Sequence, residues 1–467
     1  MVRNWHAEID MPMVDRQEQE VGVAILGAGP AGLACGWAME ESGDTEYCVF
    51  EKSSVHGGNA RTVRVGDFLY DTGPHRFHAR DEKATLRIGE LLGAELATVS
   101  APARICWKGK FVDFPLRPLQ ILRGGGLWYT LQASFNFMLS RVFDRRNREV
   151  AHFADYAKRR FGKTIAETFL IPFSERLWGM KGSELSPDIA GRRLPGFSVF
   201  GLIKDLFFGA KSSDHLEGRF LYPRLGYGQI ADKMADKLTN GNLLYGKRVI
   251  GFTASDNSIV SVKISEGTTE YEIKPEVIVN TLPITQVVQM LMPTPPQEVL
   301  EAAGKLRFRD VVLVILFLDQ PSVSNAAVTY FQNAEYEFSR AHEPRNRSAA
   351  MSPAGKTSLV VEFPCFQTEE IWTREDSMLI EGLVSSLHEM GLIDRSDVID
   401  SDVHRLPDAY PVYFNGYDEV SGVVLNYLGK FENLWTLGRG GSYFYGHVHD
   451  FITEAVEVIQ AVELYKK

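Results

Sequence analysis

The sequence has few cysteines, no long apolar run and no excess of positive charge, and each absence excludes a class of protein. Its formal net charge is −10, which argues against a nucleic-acid surface and, more weakly, against an anionic membrane. The longest aliphatic run, 311–318, is far shorter than the roughly 20 residues that span a bilayer. Four scattered cysteines without metal-site spacing predict reduced thiols in a cytoplasmic protein: Cys35, Cys48, Cys106 and Cys365.

The length of 467 residues is too great for one compact core and suits two or three domains. Residues 1–20 are polar and acid-rich without a clear period, so we expect a loose tail there. No basic region followed by an apolar run opens the chain, and no secretion signal is predicted. Because the protein is acidic, an anionic substrate would need a local cluster of arginines.

A glycine-rich turn near the start of the chain carries the strongest functional pattern. The apolar run 21–26 predicts a buried parallel strand, and Gly27, Gly29 and Gly32 follow it with G-x-G-x-x-G spacing. The first glycine permits a tight turn, the second lets the backbone approach a pyrophosphate, and the third lets the next helix pack closely. That helix, predicted over 31–41, would point its first N–H groups at the anion.

The residues after the helix complete a dinucleotide-binding unit. A second strand, predicted over 47–50, ends at Glu51, which lies 19 positions after Gly32. A carboxylate at this place can accept hydrogen bonds from a ribose diol. A bare G-x-G-x-x-G is weak evidence, but strand, glycines, helix, strand and acid in register predict dinucleotide binding.

The continuation of this unit separates FAD from NAD. Glu51 is followed by Gly57, Gly58 and Arg61 in the pattern E-x-x-x-x-x-G-G-x-x-R. The pattern resembles the extended dinucleotide signature of the FAD-dependent amine oxidoreductase superfamily, which includes amine oxidases, protoporphyrinogen oxidase, carotenoid desaturases and UDP-galactopyranose mutase. The resemblance implies FAD as the cofactor. The alternative is a glycine turn after the second strand of an NAD enzyme.

We expect an α/β fold: a Rossmann-like FAD-binding domain of the GR2 flavoprotein type, with a mixed-sheet substrate domain and a helical insert. The FAD-binding domain is predicted to be discontinuous and to contain residues 21–105, 222–300 and 430–467. A mainly helical lid or substrate insert is predicted for 106–221, and the substrate sheet for 301–429. Smaller expectations are a hairpin over 105–114, a turn-rich loop at 222–229, separate strands at 271–273 and 277–280, and a polar, mobile loop at 340–356.

Four further stretches are similar to UDP-galactopyranose mutase and its bacterial homologues and occur in the family's order. They are YDTGPHRFH (70–78), ERLWGMKGSELSPDIAGRRLP (175–195), LYPRLGYGQIADKM (221–234) and GRGGSYFYGHVHDFITEAVEVI (438–459). These stretches point to a mutase-like branch without specifying one reaction.

The resemblance also implies roles for individual residues. His75 would lie beside the flavin N5 or O4 region or relay a proton, although a histidine that only bonds within its turn is the alternative. Arg340 and Arg439 match the two arginines that hold the substrate diphosphate. The alternatives are a surface arginine for Arg340 and a backbone anchor near FAD for Arg439. Trp178 and one of Arg192 and Arg193 match residues near the substrate, but could be a core residue and a solvated charge.

The complete expected site has three parts. The catalytic candidates are His75, Arg340 and Arg439. The FAD-binding candidates are Gly27, Gly29, Pro30, Ala31, Gly32, Glu51, Lys52, Gly57, Gly58, Asn59, Arg61, Gly73, Pro74, His75, Val249, Thr281, Gly438, Arg439 and His449. The substrate-binding candidates are Trp178, Arg193, Tyr222, Arg340, Tyr443 and Tyr445.

One stretch departs from the mutase pattern. Where mutase-like proteins have an Asn-Gln-Asp-His row at the start of the last helix, this chain has His447, Val448, His449 and Asp450. The helix start can still face the flavin and stabilise negative charge on it. The loss of two amide side chains puts the mutase substrate contacts in doubt. The two histidines lack a third ligand nearby, so no metal is predicted.

Two reaction types therefore remain open. In the first, reduced FAD works without net oxidation, as in the mutases, where the flavin N5 reacts with the anomeric carbon of a nucleotide-linked sugar. In the second, FAD accepts a hydride from a small molecule, as in the amine oxidase and desaturase branches. A flavoprotein that only binds or senses is a third, minor possibility. In both enzyme types the expected partner is a small-molecule substrate.

Overall fold

The computed structural model describes residues 19–79, 81–114, 118–143, 150–193, 219–333 and 335–466. These residues form two large sheets and two smaller strand pairs, Thr62–Val65 with Phe68–Asp71 and Leu96–Ser100 with Arg219–Pro223. The predicted tail at 1–20 falls almost wholly outside the described residues, as do residues 194–218 of the predicted helical insert.

The first sheet contains the predicted dinucleotide-binding unit. Gln19–Leu26 lies at its centre, parallel to Tyr47–Phe50 on one side and to the long strand Thr269–Asn280 on the other. Thr269–Asn280 is one strand of 12 residues, so the prediction of two separate strands at 271–273 and 277–280 is wrong. The remaining strands of this sheet are Leu243–Leu244, Arg248–Ser255, Ser258–Glu266, Leu291–Met292 and Leu434–Thr436.

The second sheet is mostly antiparallel, and a long buried strand, Phe308–Leu318, forms part of its core. Even-numbered residues such as Val314 pack with Leu383 of the helix Asp376–Glu389, whereas Phe317 on the other face meets Phe68 at 4.9 Å between ring centroids. Because both faces are covered, the strand is apolar almost throughout. The full strand order is Val398–Pro411, Phe308–Leu318, Thr357–Cys365, Arg340–His342, Val328–Phe331, Ala103–Trp107 and Lys110–Phe114.

The hairpin Ala103–Phe114 belongs to this second sheet through a parallel pairing of Ala103–Trp107 with Val328–Phe331. The predicted hairpin is confirmed. The domain boundary predicted between residues 105 and 106 falls within this hairpin, and it stays a prediction. The remaining domain boundaries stay predictions.

Helices cover the first sheet and connect it to the second. Pro30–Ser42 is buried on nearly all sides and packs against the C-terminal helix Val448–Tyr465. The other helices are Glu82–Leu92, Pro118–Phe143, Phe153–Phe161, Lys163–Ile165, Ile171–Trp178, Asp188–Arg193, Gln229–Ala235, Ile284–Met290, Gln297–Lys305, Glu370–Thr373, Asp376–Glu389, Tyr417–Leu428 and Gly438–Gly441. Pro118–Phe143 is two helices joined at a kink, because Gly126 has the non-helical angles φ 79° and ψ 174°. Within the described ranges, none of the helices combines the length and the apolar character that crossing a membrane requires.

The segment 340–356 corrects the prediction of a polar, mobile loop. Its first residues, Arg340–His342, form a strand of the second sheet, and two short 3₁₀ turns follow, Pro344–Asn346 and Ala349–Met351. The polar residue Glu343 is buried because its carboxylate accepts hydrogen bonds from the backbone N–H groups of Val323 and Ser324, and from other donors. The polar groups that suggested a loop form their hydrogen bonds within the protein and not with solvent.

The stretch 222–229 is likewise less irregular than predicted. Tyr222 and Pro223 lie in the strand Arg219–Pro223, and only residues 224–228 form the irregular, turn-containing connection to the helix Gln229–Ala235.

Candidate functional site

The first glycine turn has the geometry that the spacing predicts. Gly27 has φ +99°, and a Cβ added there would lie 2.6 Å from Thr281 Oγ1. A Cβ on Gly32 would lie 1.9 Å from the carbonyl oxygen of Gly27, so the helix packs on the turn only because position 32 has no side chain. A Cβ on Gly29 would meet only the Cα of Gly58, at 4.0 Å. Position 29 therefore leaves backbone open to a ligand.

Glu51 is held beside this turn by the protein itself. Its Oε2 atom accepts a hydrogen bond of 2.9 Å from the backbone N–H of Ala28. Its Oε1 atom accepts two, also of 2.9 Å, from the backbone N–H and the hydroxyl of Ser53. The second glycine pair is attached to the same place, since the N–H of Gly57 donates to the carbonyl of Ala28 at 2.8 Å.

Two distant segments close the other side of the turn. Thr281 donates from its hydroxyl to the carbonyl of Leu26 at 2.7 Å. Gly438 has φ +84°, and a Cβ there would lie 2.9 Å from the Cβ of Ala31. Backbone from three parts of the chain thus surrounds the helix start at Pro30, forming a cradle that added Cβ atoms would fill. This arrangement fits the pyrophosphate of a dinucleotide.

The other predicted FAD contacts lie around this cradle. Arg61 reaches from the second glycine pair to His404, with 3.0 Å between Nη2 and Nε2, and its Nε is buried without a partner. Lys52 is exposed, and Val249 lies on the strand Arg248–Ser255. The contacts of individual residues with FAD stay predictions.

His75 is a neutral imidazole held by the loop that carries the second glycine pair. Its Nε2 atom lies 2.9 Å from the carbonyl oxygen of Asn59, and its ring stacks on Tyr227 at 5.1 Å between centroids. Because a carbonyl only accepts, Nε2 carries the proton and Nδ1 is an acceptor. Burial, with the charges of Arg439, Arg347 and Arg340, lowers the pKa of His75 to about 3. The histidine therefore has a structural bond to the preceding loop while its Nδ1 remains a proton acceptor.

Arg340 is paired with a buried acid. Its Nε donates to Glu362 on the neighbouring strand, and its Nη2 donates to the hydroxyl of Tyr410 at 2.9 Å. Burial works against its charge, but Glu362 and the nearby tyrosines raise the pKa of Arg340 above its ordinary value. The alternative of a surface arginine is excluded.

Arg439 lies against an aromatic wall. Its Nε and Nη1 atoms donate to the carbonyls of Gly446 and Ala409, at 3.0 and 3.1 Å. The guanidinium lies 4.9 Å from the ring centroid of Tyr445 and 5.5 Å from that of Tyr410. These bonds support the backbone-anchoring role, and the two tyrosine faces stabilise its charge as well.

Trp178 completes this wall. It is buried, stacks parallel to Tyr413 at 6.4 Å, and meets Tyr445 and Tyr410 edge-on at 5.9 and 6.4 Å. The structure therefore brings together Trp178, Tyr445 and the two arginines predicted to be catalytic, since Tyr410 contacts Arg340, Arg439 and Trp178. Such a wall can pack against a planar base or a sugar ring.

Three other substrate candidates are placed differently. The hydroxyl of Tyr222 donates to the buried carboxylate of Asp71. The hydroxyl of Tyr443 lies 2.9 and 2.8 Å from the carbonyl oxygens of Arg307 and Val412 and donates its one proton between them. Both hydroxyls are thus engaged within the protein. Arg193 ends the helix Asp188–Arg193, and its side chain lies outside what the structure describes. Substrate contacts of these residues stay predictions.

His449 is buried at the start of the C-terminal helix. Its ring stacks on His447 at 5.4 Å and meets Phe77 edge-on at 6.0 Å. Among the described residues, no group of three or more histidines, cysteines or acids is arranged to hold a metal ion.

Sequence reasoning missed four residues of this region. Arg76 follows His75 directly, Tyr227 stacks on it, and His342 and Arg347 come from the segment that the sequence suggested was a mobile loop. Arg76 lies within the stretch 70–78, and the similarity of this stretch to the mutases was a signal that could have identified it. His342 and Arg347 had no such pattern, because their burial depends on contacts far along the chain.

Comparison with known protein families shows to which family the chain belongs. The model of the flavin-containing amine oxidoreductases matches residues 30–444, which is most of the chain. The chain belongs to this family. Its cofactor is FAD, and the chain is an FAD-dependent enzyme of the oxidoreductase or mutase type.

Curated relatives of this amine oxidoreductase point to two branches. A Klebsiella pneumoniae protein described as a probable UDP-galactopyranose mutase is 25% identical over 217 residues, which are 46% of this chain and 53% of that one. Chloroplastic protoporphyrinogen oxidase of Nicotiana tabacum is 26% identical over 171 residues, 36% of this chain and 31% of that one. The chain thus matches about half and about a third of the lengths of these relatives.

Solved structures confirm the predicted fold class. A reduced UDP-galactopyranose mutase superposes with a TM-score of 0.82 at 20% identity, covering 95% of each chain. Cyclohexylamine oxidase from Brevibacterium oxydans gives a TM-score of 0.64 at 13% identity, covering 96% of this amine oxidoreductase and 100% of that chain. At these identities the likeness establishes the fold alone.

Proposed function

We propose that this flavoenzyme acts on an anionic small molecule, a nucleotide-linked sugar or a related intermediate, at the N5 region of its flavin. The observation that carries the proposal is the convergence of Arg340, Arg439 and His75 beside an aromatic wall, in a protein whose net charge is −10. Local positive charge of this kind offsets the repulsion that the acidic surface exerts on an anion.

The residues have separable roles in this proposal. Arg340 and Arg439 hold the diphosphate with the N–H groups that their protein partners leave available. Trp178 and Tyr445 pack against the sugar or base. His75 accepts a proton at Nδ1, because its low pKa keeps the ring neutral at ordinary pH. Bound FAD supplies either nucleophilic chemistry at N5 or hydride acceptance.

The alternative is an oxidoreductase that removes a hydride from an amine, alcohol or hydrocarbon. One observation favours it: Arg340 already pairs with Glu362, and Arg439 already bonds to two carbonyls, so neither arginine is devoted to a diphosphate. A hydride donor needs no diphosphate clamp, and the aromatic wall would position it equally well.

Turnover in two redox states separates the two functions. Reduced, FAD-loaded enzyme is incubated with UDP-sugars, and the products are examined for an isomerised sugar. Oxidised enzyme is assayed with amines, alcohols and unsaturated substrates for hydrogen peroxide or reduction of an artificial acceptor. Isomerisation without net oxidation supports the mutase type. Substrate oxidation by the oxidised enzyme, with no isomerised sugar, overturns it in favour of the alternative.

A cytoplasmic location belongs to the same proposal. It is supported by the scattered cysteines, of which Cys35, Cys106 and Cys365 are buried as free thiols. Fractionation of cells that express the full chain checks it, and recovery outside the cytoplasm would contradict it.

A further inference from the structure

A second group of cationic side chains lies beside the catalytic candidates and has no role in the proposal so far. Arg76 follows His75 in the turn, His342 ends the strand Arg340–His342, and Arg347 follows the 3₁₀ turn Pro344–Asn346. The guanidinium of Arg76 lies 4.9 Å from the ring centroid of Phe220, and that of Arg347 lies 5.8 Å from the ring centroid of Tyr222, on the same strand Arg219–Pro223. Burial, together with the charges of Arg347, Arg340, His75 and Arg76, lowers the pKa of His342.

These side chains carry buried polar atoms that no protein group satisfies. Arg347 is 4% exposed and donates from Nη2 to the carbonyl of Ala327 at 3.1 Å, but its Nε and Nη1 have no hydrogen-bond partner. His342 is 1% exposed, and both of its ring nitrogens lack a partner. The buried Nη2 of Arg76 lacks one as well. Unsatisfied buried polar atoms are costly, and charged ones more so.

The positive charge is not neutralised by nearby acids. Glu362 is paired with Arg340. Asp71, on which the charge of Arg347 acts, is already bonded to Thr62, to Tyr222 and to the backbone of Tyr227. Among the ion pairs of the described residues, none involves Arg76 or Arg347.

Burial adds to this imbalance. Burial, together with the charges of Arg347 and Arg340 and against the opposing effect of Tyr330, lowers the pKa of Arg76 to about 10. Burial and the surrounding charges also keep His342 neutral, so one of its nitrogens can donate and the other accept. The group therefore offers two guanidinium ions and one imidazole N–H to a ligand.

We propose that Arg76, Arg347 and His342 form an oxyanion subsite that binds a carboxylate or phosphoryl group of the substrate. An oxyanion fits better than a halide, because planar guanidinium groups donate parallel hydrogen bonds to paired oxygens. The subsite is separate from Arg340 and Arg439, whose donors are partly engaged, and Arg76 directly follows His75 in the chain. This inference rests on the proposed function in one respect, namely that substrate binds beside His75.

Binding of small anions to the FAD-loaded protein tests the subsite without turnover. Thermal unfolding and isothermal titration are measured with inorganic pyrophosphate, with malonate, and with sodium chloride at matched ionic strength. We expect pyrophosphate or malonate to raise the melting temperature and chloride not to do so. If pyrophosphate binds more tightly than malonate, the group that the subsite binds is a phosphoryl group. If malonate binds more tightly, it is a carboxylate.

Substitutions assign the binding to these residues. Arg347→Met and Arg76→Met are each expected to weaken binding of the better probe about tenfold or more, the loss of one charge-assisted hydrogen bond. Arg395→Met, which removes an exposed arginine paired with Glu381, is the matched control and should bind as the wild type does. Because Arg76 has no ion-pair partner among the described residues, and Met can also pack against the Phe220 ring that its guanidinium contacts at 4.9 Å, Arg76→Met should not lower the melting temperature in anion-free buffer, whereas removal of a purely structural arginine would.

Several outcomes would overturn the subsite: no binding of either oxyanion, an equal effect of chloride, or unchanged binding in both variants. If Arg347→Met fails to fold, Arg347→Lys and Arg76→Met carry the test. The test is independent of the proposed function. Loss of anion binding in the variants, without any isomerised sugar in the turnover assay, supports the subsite and contradicts the mutase type. Isomerisation that neither variant affects supports the mutase type and contradicts the subsite.

Discussion

Gly29→Ala is expected to weaken FAD binding while leaving the FAD-free protein stable. Gly29 has φ −73° and ψ 178°, which alanine adopts freely, and its Cβ would meet only Gly58, at 4.0 Å. The methyl group would instead occupy the space through which the backbone approaches the pyrophosphate. Loss of one hydrogen bond to a charged group is worth about 1.5–3 kcal/mol, so the dissociation constant should rise about 10- to 150-fold.

Two matched substitutions have different expected results. In Gly32→Ala the Cβ would lie 1.9 Å from the carbonyl oxygen of Gly27, and a backbone atom cannot rotate away. The helix must shift, so we expect a loss of about 1–3 kcal/mol or more in the FAD-free protein. Gly382→Ala lies on the exposed side of the helix Asp376–Glu389 with nothing within 4 Å. It should stabilise the protein by about 0.5–1 kcal/mol without changing FAD affinity.

The assay has two parts for each variant. FAD affinity is measured from the quenching of flavin fluorescence on titration of the FAD-free protein, and stability from its unfolding in urea. An unchanged dissociation constant for Gly29→Ala would refute the placement of the pyrophosphate at this turn. A loss of stability equal to that of Gly32→Ala would show that position 29 is needed for folding and not kept open for a ligand.

Three further predictions concern buried groups. Glu362→Leu leaves the guanidinium of Arg340 without its acid and should destabilise the protein by about 3–5 kcal/mol in urea unfolding; a loss below about 1 kcal/mol would contradict this. Burial, with Asp450 and Glu457, raises the pKa of Glu454 from 4.5 to about 7, so its stabilising contribution is present at low pH and lost as pH rises through 7. The melting temperature should therefore fall less between pH 5 and 8 in Glu454→Gln than in the wild type, and identical profiles would contradict the shift. Asn433→Leu removes the partners of both the N–H and the carbonyl of Ile259, each bonded at 2.9 Å, and should cost about 2–4 kcal/mol, measured in the same way. An unchanged midpoint would show that these groups find other partners.

The dinucleotide-binding unit was predictable because its determinants are close in sequence. Strand, turn and helix are set by the apolar run and by the spacing of Gly27 and Gly32, and the structure places both glycines where a Cβ would collide with backbone or with Thr281. The position of Glu51, at the end of the second strand, follows from the length of one strand–helix–strand unit. The extended resemblance led from there to FAD and to the family, which the comparison confirmed.

Assignments that depend on pairing between distant segments were less accurate. Arg340–His342 looked like part of a polar loop, since its three residues are too few for a period to show. It is a strand because Val328–Phe331 and Thr357–Cys365 lie on either side of it and complete its backbone hydrogen bonds. For the same reason the sequence did not show which sheet the hairpin Ala103–Phe114 joins, since the strand that it pairs with comes more than 200 residues later.

The sequence by itself determined the cofactor turn, the family and the acidic character that any anionic substrate must overcome. Only the tertiary structure decided which charges meet. It buried Arg347 and His342 beside Arg76 and paired Arg340 with Glu362, although these residues come from different parts of the chain. The physical reason is that local geometry depends on neighbouring residues, whereas the electrostatics of a pocket depend on side chains that folding brings together.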